Sequence, residues 1–218
     1  MISRYVGLLG LGDRGLGIAE RKGRERAERE HRIVAAARVI AEREGWDAVT
    51  VRRLADEIEY SQPVLYSHFE NRDAIVAAVA VEGFQEITVA LREAASGSTG
   101  RRNALKNVAM AYLAFALSRP ALYEAMFILP TDLRFAEAGT RPELRAAFEA
   151  LAAVVTPFCV DVAVVTETFW AALHGLAELE RSGRIRPSAR DQRIARVVRA
   201  IVASGKSPPA RASRHSVE

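Results

Sequence analysis

Strand-like alternation of polar and apolar residues is hard to find in these 218 residues, and that lack excludes a β-sheet core. Cysteine is almost missing too. The single Cys159 cannot form an internal disulfide, and such usage fits a reducing cytoplasm. No apolar run approaches the ~20 residues that a bilayer span needs, so no membrane partner is expected. The four histidines, His31, His68, His174 and His215, stand far apart with no nearby Cys or carboxylate at ligand spacing. That argues against a zinc site, and no other cofactor is called for. No G-x-S-x-G motif occurs and no base lies close to Cys159 in sequence, so the chain does not read as an enzyme. The run "GLGDRG", Gly10 to Gly15, matches G-x-G-x-x-G, but no strand precedes it to build a dinucleotide site.

What is present is helix. Half of the residues are hydrophobic and alanine is abundant, which favours an all-α fold. The net charge of +4 hides an uneven distribution. Residues 1–75 carry 13 basic and 13 acidic side chains, whereas residues 181–218 carry 10 basic and 2 acidic. Bulk charge would therefore put a polyanion at the C-terminus, a warning against inferring nucleic-acid binding from charge alone.

Residues 1–28 begin with a glycine-broken apolar run that stops at Asp13 and continues as mixed charge, the pattern of a disordered or frayed leader. Apolar spacing at Ile33, Ala36, Ala37 and Ile40 predicts a helix over about 30–44, stopped by Gly45. Thr50 is a good N-cap for a short helix "VRRLADEI", and Ser61 for a second with Pro63 in its first turn. Asn71 then caps a long helix to about Ala95, with Ile75, Val76, Val79, Phe84, Ile87 and Leu91 inward. Further helices are expected over 101–118, between Pro120 and Pro130, from a Thr140–Glu143 capping box to about Val155, over about 160–182, and from Ser188 onward. Domains follow: 29–76, 77–203 and a disordered tail over 204–218.

The stretch "YSQPVLYSHFENR", Tyr60 to Arg72, carries more aromatic and hydrogen-bonding groups than so short a piece needs for packing. Two short helices joined by "EYS" match a helix-turn-helix, with Leu54, Ala55, Ile58, Leu65 and Phe69 as its internal packing. The second helix is too short to stand alone, so neighbours must hold it and its outer face is left to read something. Ser61, Gln62, Tyr66, Ser67 and His68 can hydrogen-bond phosphates or base edges, as a recognition helix in the DNA major groove does.

Residues 32–76 resemble the DNA-binding region of the tetracycline-repressor (TetR) family. The likeness rests on "EGW", "TVRRLA", "YSQPVLYSHF" and "NRDAI". It implies about nine helices, an N-terminal three-helix DNA-binding domain and a C-terminal bundle that dimerises and senses a ligand. It also implies double-stranded DNA with a palindromic operator as partner. By position, Gln62, Pro63, Val64 and Tyr66 would meet base edges or sugars. Thr50, Ser61, Tyr66, His68 and Arg72 would meet phosphates, with Arg52 and Arg53 near enough to contribute. Where the family often has Gly in the turn this chain has Glu59, which requires a positive φ from a residue that disfavours it.

Trp170, His174 and Gly175 form W-x-x-x-H-G, resembling the C-terminal domain of a TetR subgroup named for those letters. Trp170 and His174 share a helix face. With Phe84, Tyr112, Phe115, Tyr123, Met126, Phe127 and Phe158 they are candidates for lining a pocket that takes a small apolar or aromatic effector; packing in the core is the other reading. The apolar stripes of the last two helices, Val162, Val165, Phe169, Leu173 and Leu176 with Ile194, Val197, Val198 and Ile201, are expected to form a homodimer interface. Arg190, Arg193, Arg196 and Arg199 lie opposite the last stripe and are expected to face solvent or pair with acidic residues upstream. The chain thus reads as a cytoplasmic, ligand-responsive DNA-binding regulator. A regulator without an inducer, or a helical enzyme or carrier that keeps the fold, remains open.

Overall fold

The computed structural model describes residues 10–135 and 139–204. The first nine residues of the expected leader, the expected tail beyond Ser204, and His215 lie outside the described residues. Among the described residues there are nine α-helices and no strand: α1 (Gly10–Glu44), α2 (Val51–Glu57), α3 (Gln62–His68), α4 (Arg72–Ser96), α5 (Arg101–Ser118), α6 (Pro120–Phe127), α7 (Pro142–Val155), α8 (Val162–Arg181) and α9 (Arg190–Ser204). They form two compact units, Met1–Ala80 with Glu124–Asp132, and Val81–Tyr123 with Leu133–Glu218. The helices α4 and α6 each run through a boundary.

In the first unit α1 starts at Gly10, well before the helix that apolar spacing predicts. A 35-residue helix corrects the picture of a loose leader over residues 10–28, and the G-x-G-x-x-G match falls inside it. Gly45 ends α1 with φ 84°, and its N–H bonds the Ala41 carbonyl at 2.8 Å. Trp46 is buried at the start of a short 3-10 turn that leads to Thr50. Ile33, Ala37, Ile40, Leu54, Leu65, Ile75 and Val76 make the core of this unit. Burying each large aliphatic side chain is worth about 1.5–3 kcal/mol.

In the second unit α5 packs on α7, α8 and α9. Tyr112 and Leu113 are buried on α5, Leu151 and Val155 on α7, Phe169 and Leu173 on α8, and Ile194 and Val198 on α9. The Glu180 carboxylate of α8, buried at its base, joins Arg190 and lies 3.0 Å from Nη2 of Arg193, tying α8 to α9 within one chain. Those two arginines thus pair with an acidic residue upstream, as expected for the row.

Three expectations are corrected here. The Thr140–Glu143 capping box does not form: Arg141 is the N-cap of α7 and Pro142 occupies its first turn, where a missing N–H costs nothing. Helix α4 is long and apolar enough to cross a membrane by length and composition, yet 56% of its most apolar window is buried inside the protein, as in a core helix. Finally, Phe169, Leu173, Ile194, Val198 and Ile201 are buried within a single chain and so are not available to a second copy. A helix pair must cover its strongest apolar stripe first with its own domain. Val162, Val165, Leu176 and Val197 are half-buried beside them.

Candidate nucleic-acid interface and small-molecule cleft

Helix α3 has seven residues, too few to hold itself. Leu65, 1% exposed, anchors it, and α2 packs against it. The turn between them closes with the Tyr60 N–H on the Ala55 carbonyl at 3.0 Å, the six-residue bond of a Schellman motif. Glu59 takes the left-handed seat in that motif at φ 56°, as the missing glycine requires. Thr50 caps α2 by accepting from the Arg53 N–H at 3.1 Å. Pro63 sits in the first turn of α3, and Ser61 precedes the helix without a side-chain cap bond.

The exposed rim of α3 consists of Gln62, Pro63, Val64, Tyr66 and Ser67, with Tyr66 54% exposed. Ser61, Thr50 and Arg52 are exposed alongside. The Ser67 hydroxyl donates back to the Val64 carbonyl at 2.7 Å. Other candidates are engaged within the unit. The His68 side chain is 5% exposed, with Nδ1 3.2 Å from Glu30 on α1. Arg53 pairs with Glu44 at 3.0 Å. Arg72 donates from Nε to the Val49 carbonyl at 2.9 Å and from Nη2 to the Trp46 carbonyl at 2.7 Å, bracing the turn before α2. The rim is therefore a polar and apolar edge held from beneath by Leu65 and α2.

The second unit holds the aromatic candidates. Trp170 Nε1 donates to the Tyr112 hydroxyl at 3.0 Å, the Tyr112 and Tyr123 hydroxyls are 2.9 Å apart, and the Tyr123 hydroxyl lies 2.8 Å from Nδ1 of His174. Burial pushes both phenols far above their ordinary range and holds the imidazole below its own, against the raising effect of Glu178. All four groups are thus neutral near pH 7. One direction satisfies every link: indole N–H to Tyr112, Tyr112 O–H to Tyr123, Tyr123 O–H to an unprotonated Nδ1. Tyr112 and Tyr123 are buried at 1% and 0% exposure, so they belong to the core, as do Phe84 and Phe115. Phe158 is half-buried. Met126, buried, and Phe127 fall in the first unit.

A cleft of ≈ 240 Å³ is lined by Phe135, Thr140, Leu144, Arg145, Phe148, Glu167 and Trp170. Among these, Trp170 alone was a pocket candidate from the sequence. Phe135 stacks at a tilt on Trp170, with ring centroids 6.0 Å apart, and meets Phe84 edge-on at 5.7 Å. Leu144 and Phe148 are i, i+4 on α7, a signal the sequence did contain. Phe135 lies outside any helix, where periodicity says nothing. Among the described residues no group of His, Cys, Asp and Glu could hold a metal ion.

Comparison with known proteins agrees with this geometry. Residues 33–79 match the model of bacterial regulatory proteins of the tetR family, and residues 105–211 match the tetracyclin repressor-like C-terminal domain. The chain is 30% identical over 158 residues to the uncharacterized HTH-type transcriptional regulator Rv0681 of Mycobacterium tuberculosis, covering 69% of each protein. Its fold is shared with a TetR from Acinetobacter baumannii AYE in complex with minocycline, at TM-score 0.57 and 21% identity over 78% of this chain and 92% of that one. It is shared too with RolR in complex with resorcinol, at TM-score 0.59 and 15% identity over 85% and 97%. Both family models and the relative covered to 69% agree, and the chain belongs to the tetR family of DNA-binding transcriptional regulators.

Proposed function

We propose that this regulator binds a palindromic operator as a homodimer and leaves it when a small apolar or aromatic effector enters the second unit. The observation that carries the DNA part is the exposed rim of α3 above a buried Leu65. Gln62 reads a base edge, Val64 and Pro63 meet sugars or a thymine methyl, and Tyr66, Ser61, Ser67, Thr50 and Arg52 meet the backbone. Arg53, His68 and Arg72 act instead by holding the reader in shape, given their bonds inside the unit. Two rims one DNA turn apart, roughly 34–36 Å, would match the two half-sites. Such a protein works in the cytoplasm, on the chromosome.

Pairing of two copies is best served by the outer face of α8. Val164, Thr168, Ala171 and Leu179 are exposed there, and a Cβ at Gly175 would meet nothing within 4 Å. Small residues between two exposed apolar ones allow a close helix–helix approach.

The cleft at Phe135, Phe148 and Trp170 is the effector seat. Its aromatic walls suit a compact apolar molecule. The relatives solved with minocycline and with resorcinol support a ligand-sensing role. An effector that binds two arrangements of α4 unequally would shift the reader between them. The packed Tyr112–Tyr123–His174 core favours a second reading, control without any small molecule. Selection of bound duplexes from a random pool, repeated with a panel of small aromatic compounds, separates the two. Release of the selected duplex by a compound that also quenches Trp170 supports the effector reading, and no release by any compound supports the other.

A further inference from the structure

The N-terminal stretch of α1 takes no part in the proposed reading. From Ala19 to Arg29 every side chain is exposed, and a Cβ at Gly23 would meet nothing within 4 Å. A helix continued this far has no packing reason to exist. It is nevertheless pinned at one point. Arg26 donates from Nη2 to the Ser67 carbonyl at 3.3 Å and pairs through Nε with Glu30 at 2.8 Å, and Glu30 in turn lies 3.2 Å from Nδ1 of His68. These contacts set α1 beside the C-terminal end of α3, next to the exposed Tyr66 and Ser67.

One turn before Arg26, on the same side of the helix, come Lys22 and Gly23, and a turn further back Ala19. The neighbouring Arg21 and Arg29 share Glu25 at 3.8 and 3.9 Å, whereas Lys22 has no ion-pair partner among the described residues. A lone ammonium between two residues with little or no side chain is a surface on which a phosphodiester strand can lie close. Helical spacing puts Glu28 opposite this row, and the nearest carboxylates are already paired, Glu25 with Arg21 and Arg29 and Glu30 with Arg26 and His68. We infer that this row of α1 forms a second DNA contact, on the phosphate backbone that flanks the bases read by α3. The inference rests on α3 being the reader.

The test is a salt titration of the full chain on a duplex recovered by selection, comparing wild type with Lys22→Ala and Gly23→Glu, and with Arg102→Ala on α5 as a charge-matched control. The inference expects Lys22→Ala to lower the slope of log affinity against log salt by about 1 per copy. It expects Gly23→Glu to weaken binding further, with base preference and melting temperature unchanged and the control unaltered. Unchanged slopes in both α1 variants overturn it. So does an equal loss in the control, which would mark a bulk-charge effect, or altered base preference, which would mark an effect through α3. Failure of the wild type to bind any duplex sinks the α3 reading along with it, a distinct outcome.

Discussion

The Tyr123 hydroxyl lies 2.8 Å from Nδ1 of His174 and closes a chain of four neutral side chains that begins at the Trp170 indole. Removing the Tyr123 hydroxyl takes the acceptor from the Tyr112 O–H and the donor from Nδ1 of His174. Tyr123→Phe is expected to cost about 1–3 kcal/mol of unfolding free energy, measured by denaturant titration. Because the shape is kept, the loss reports the hydrogen bonds rather than a cavity.

The same imidazole makes stability depend on pH. Burial, aided by Arg181 and opposed by Glu178, lowers the folded value of His174 below its ordinary 6.5. The unfolded chain then binds the proton first, so stability is full above about pH 6.5 and is lost as pH falls from there through the lower folded value. His174→Gln should flatten the difference in denaturation midpoint between pH 7.5 and 5.5. An unchanged difference would mean that other groups carry it.

Arg72 offers a sharp distinction between bracing and DNA contact. Its guanidinium already serves the carbonyls of Val49 and Trp46. Arg72→Ala should therefore destabilise the reader by about 1.5–3 kcal/mol, the range for hydrogen bonds from a charged group. A loss of DNA affinity at unchanged stability would instead show Arg72 on a phosphate.

Glu59 holds a left-handed conformation at φ 56°, which costs a non-glycine residue about 1–2 kcal/mol. Glu59→Gly is expected to raise the melting temperature, while Glu59→Ala, which keeps the strain, should not. Both remove a carboxylate near the proposed DNA face, so both should tighten DNA binding.

Glu180 joins α8 to α9. The hydrogen bond from Arg190 comes first in holding its carboxyl below the usual range; burial opposes it and the charges of Arg190 and Arg193 add to it. A lowered folded value means stability that is present above about pH 4.5 and is lost as pH falls through the folded value. Glu180→Gln should cost about 1.5–3 kcal/mol at pH 7 and leave acid unfolding less steep.

The reader was legible in the sequence because its devices are local. Thr50 caps, Pro63 starts a helix, Gly45 stops one, and the Glu59 turn needs a positive φ; each appears in the structure as residue chemistry requires. What failed was the choice of which buried apolar and aromatic side chains meet a second copy or a ligand and which meet their own core. The α8 stripe through Phe169 and Leu173 is the most hydrophobic face, and for that reason it faces its own core, leaving the weaker Val164–Gly175–Leu179 face outward. Likewise Tyr112 and Tyr123 look like pocket aromatics until the bond between their hydroxyls shows them satisfied by each other. The cleft depends on Phe135, whose segment has no periodicity to read.

Helix α3 is proposed as the part that reads DNA. Selection from a random duplex pool, run in parallel on wild type and Gln62→Ala, tests this most directly. The wild type is expected to recover a palindromic motif, and the variant to show relaxed preference at one position in each half-site, with melting temperature unchanged. Recovery of the same motif with the same stringency by both proteins, or of no motif by the wild type, would contradict it.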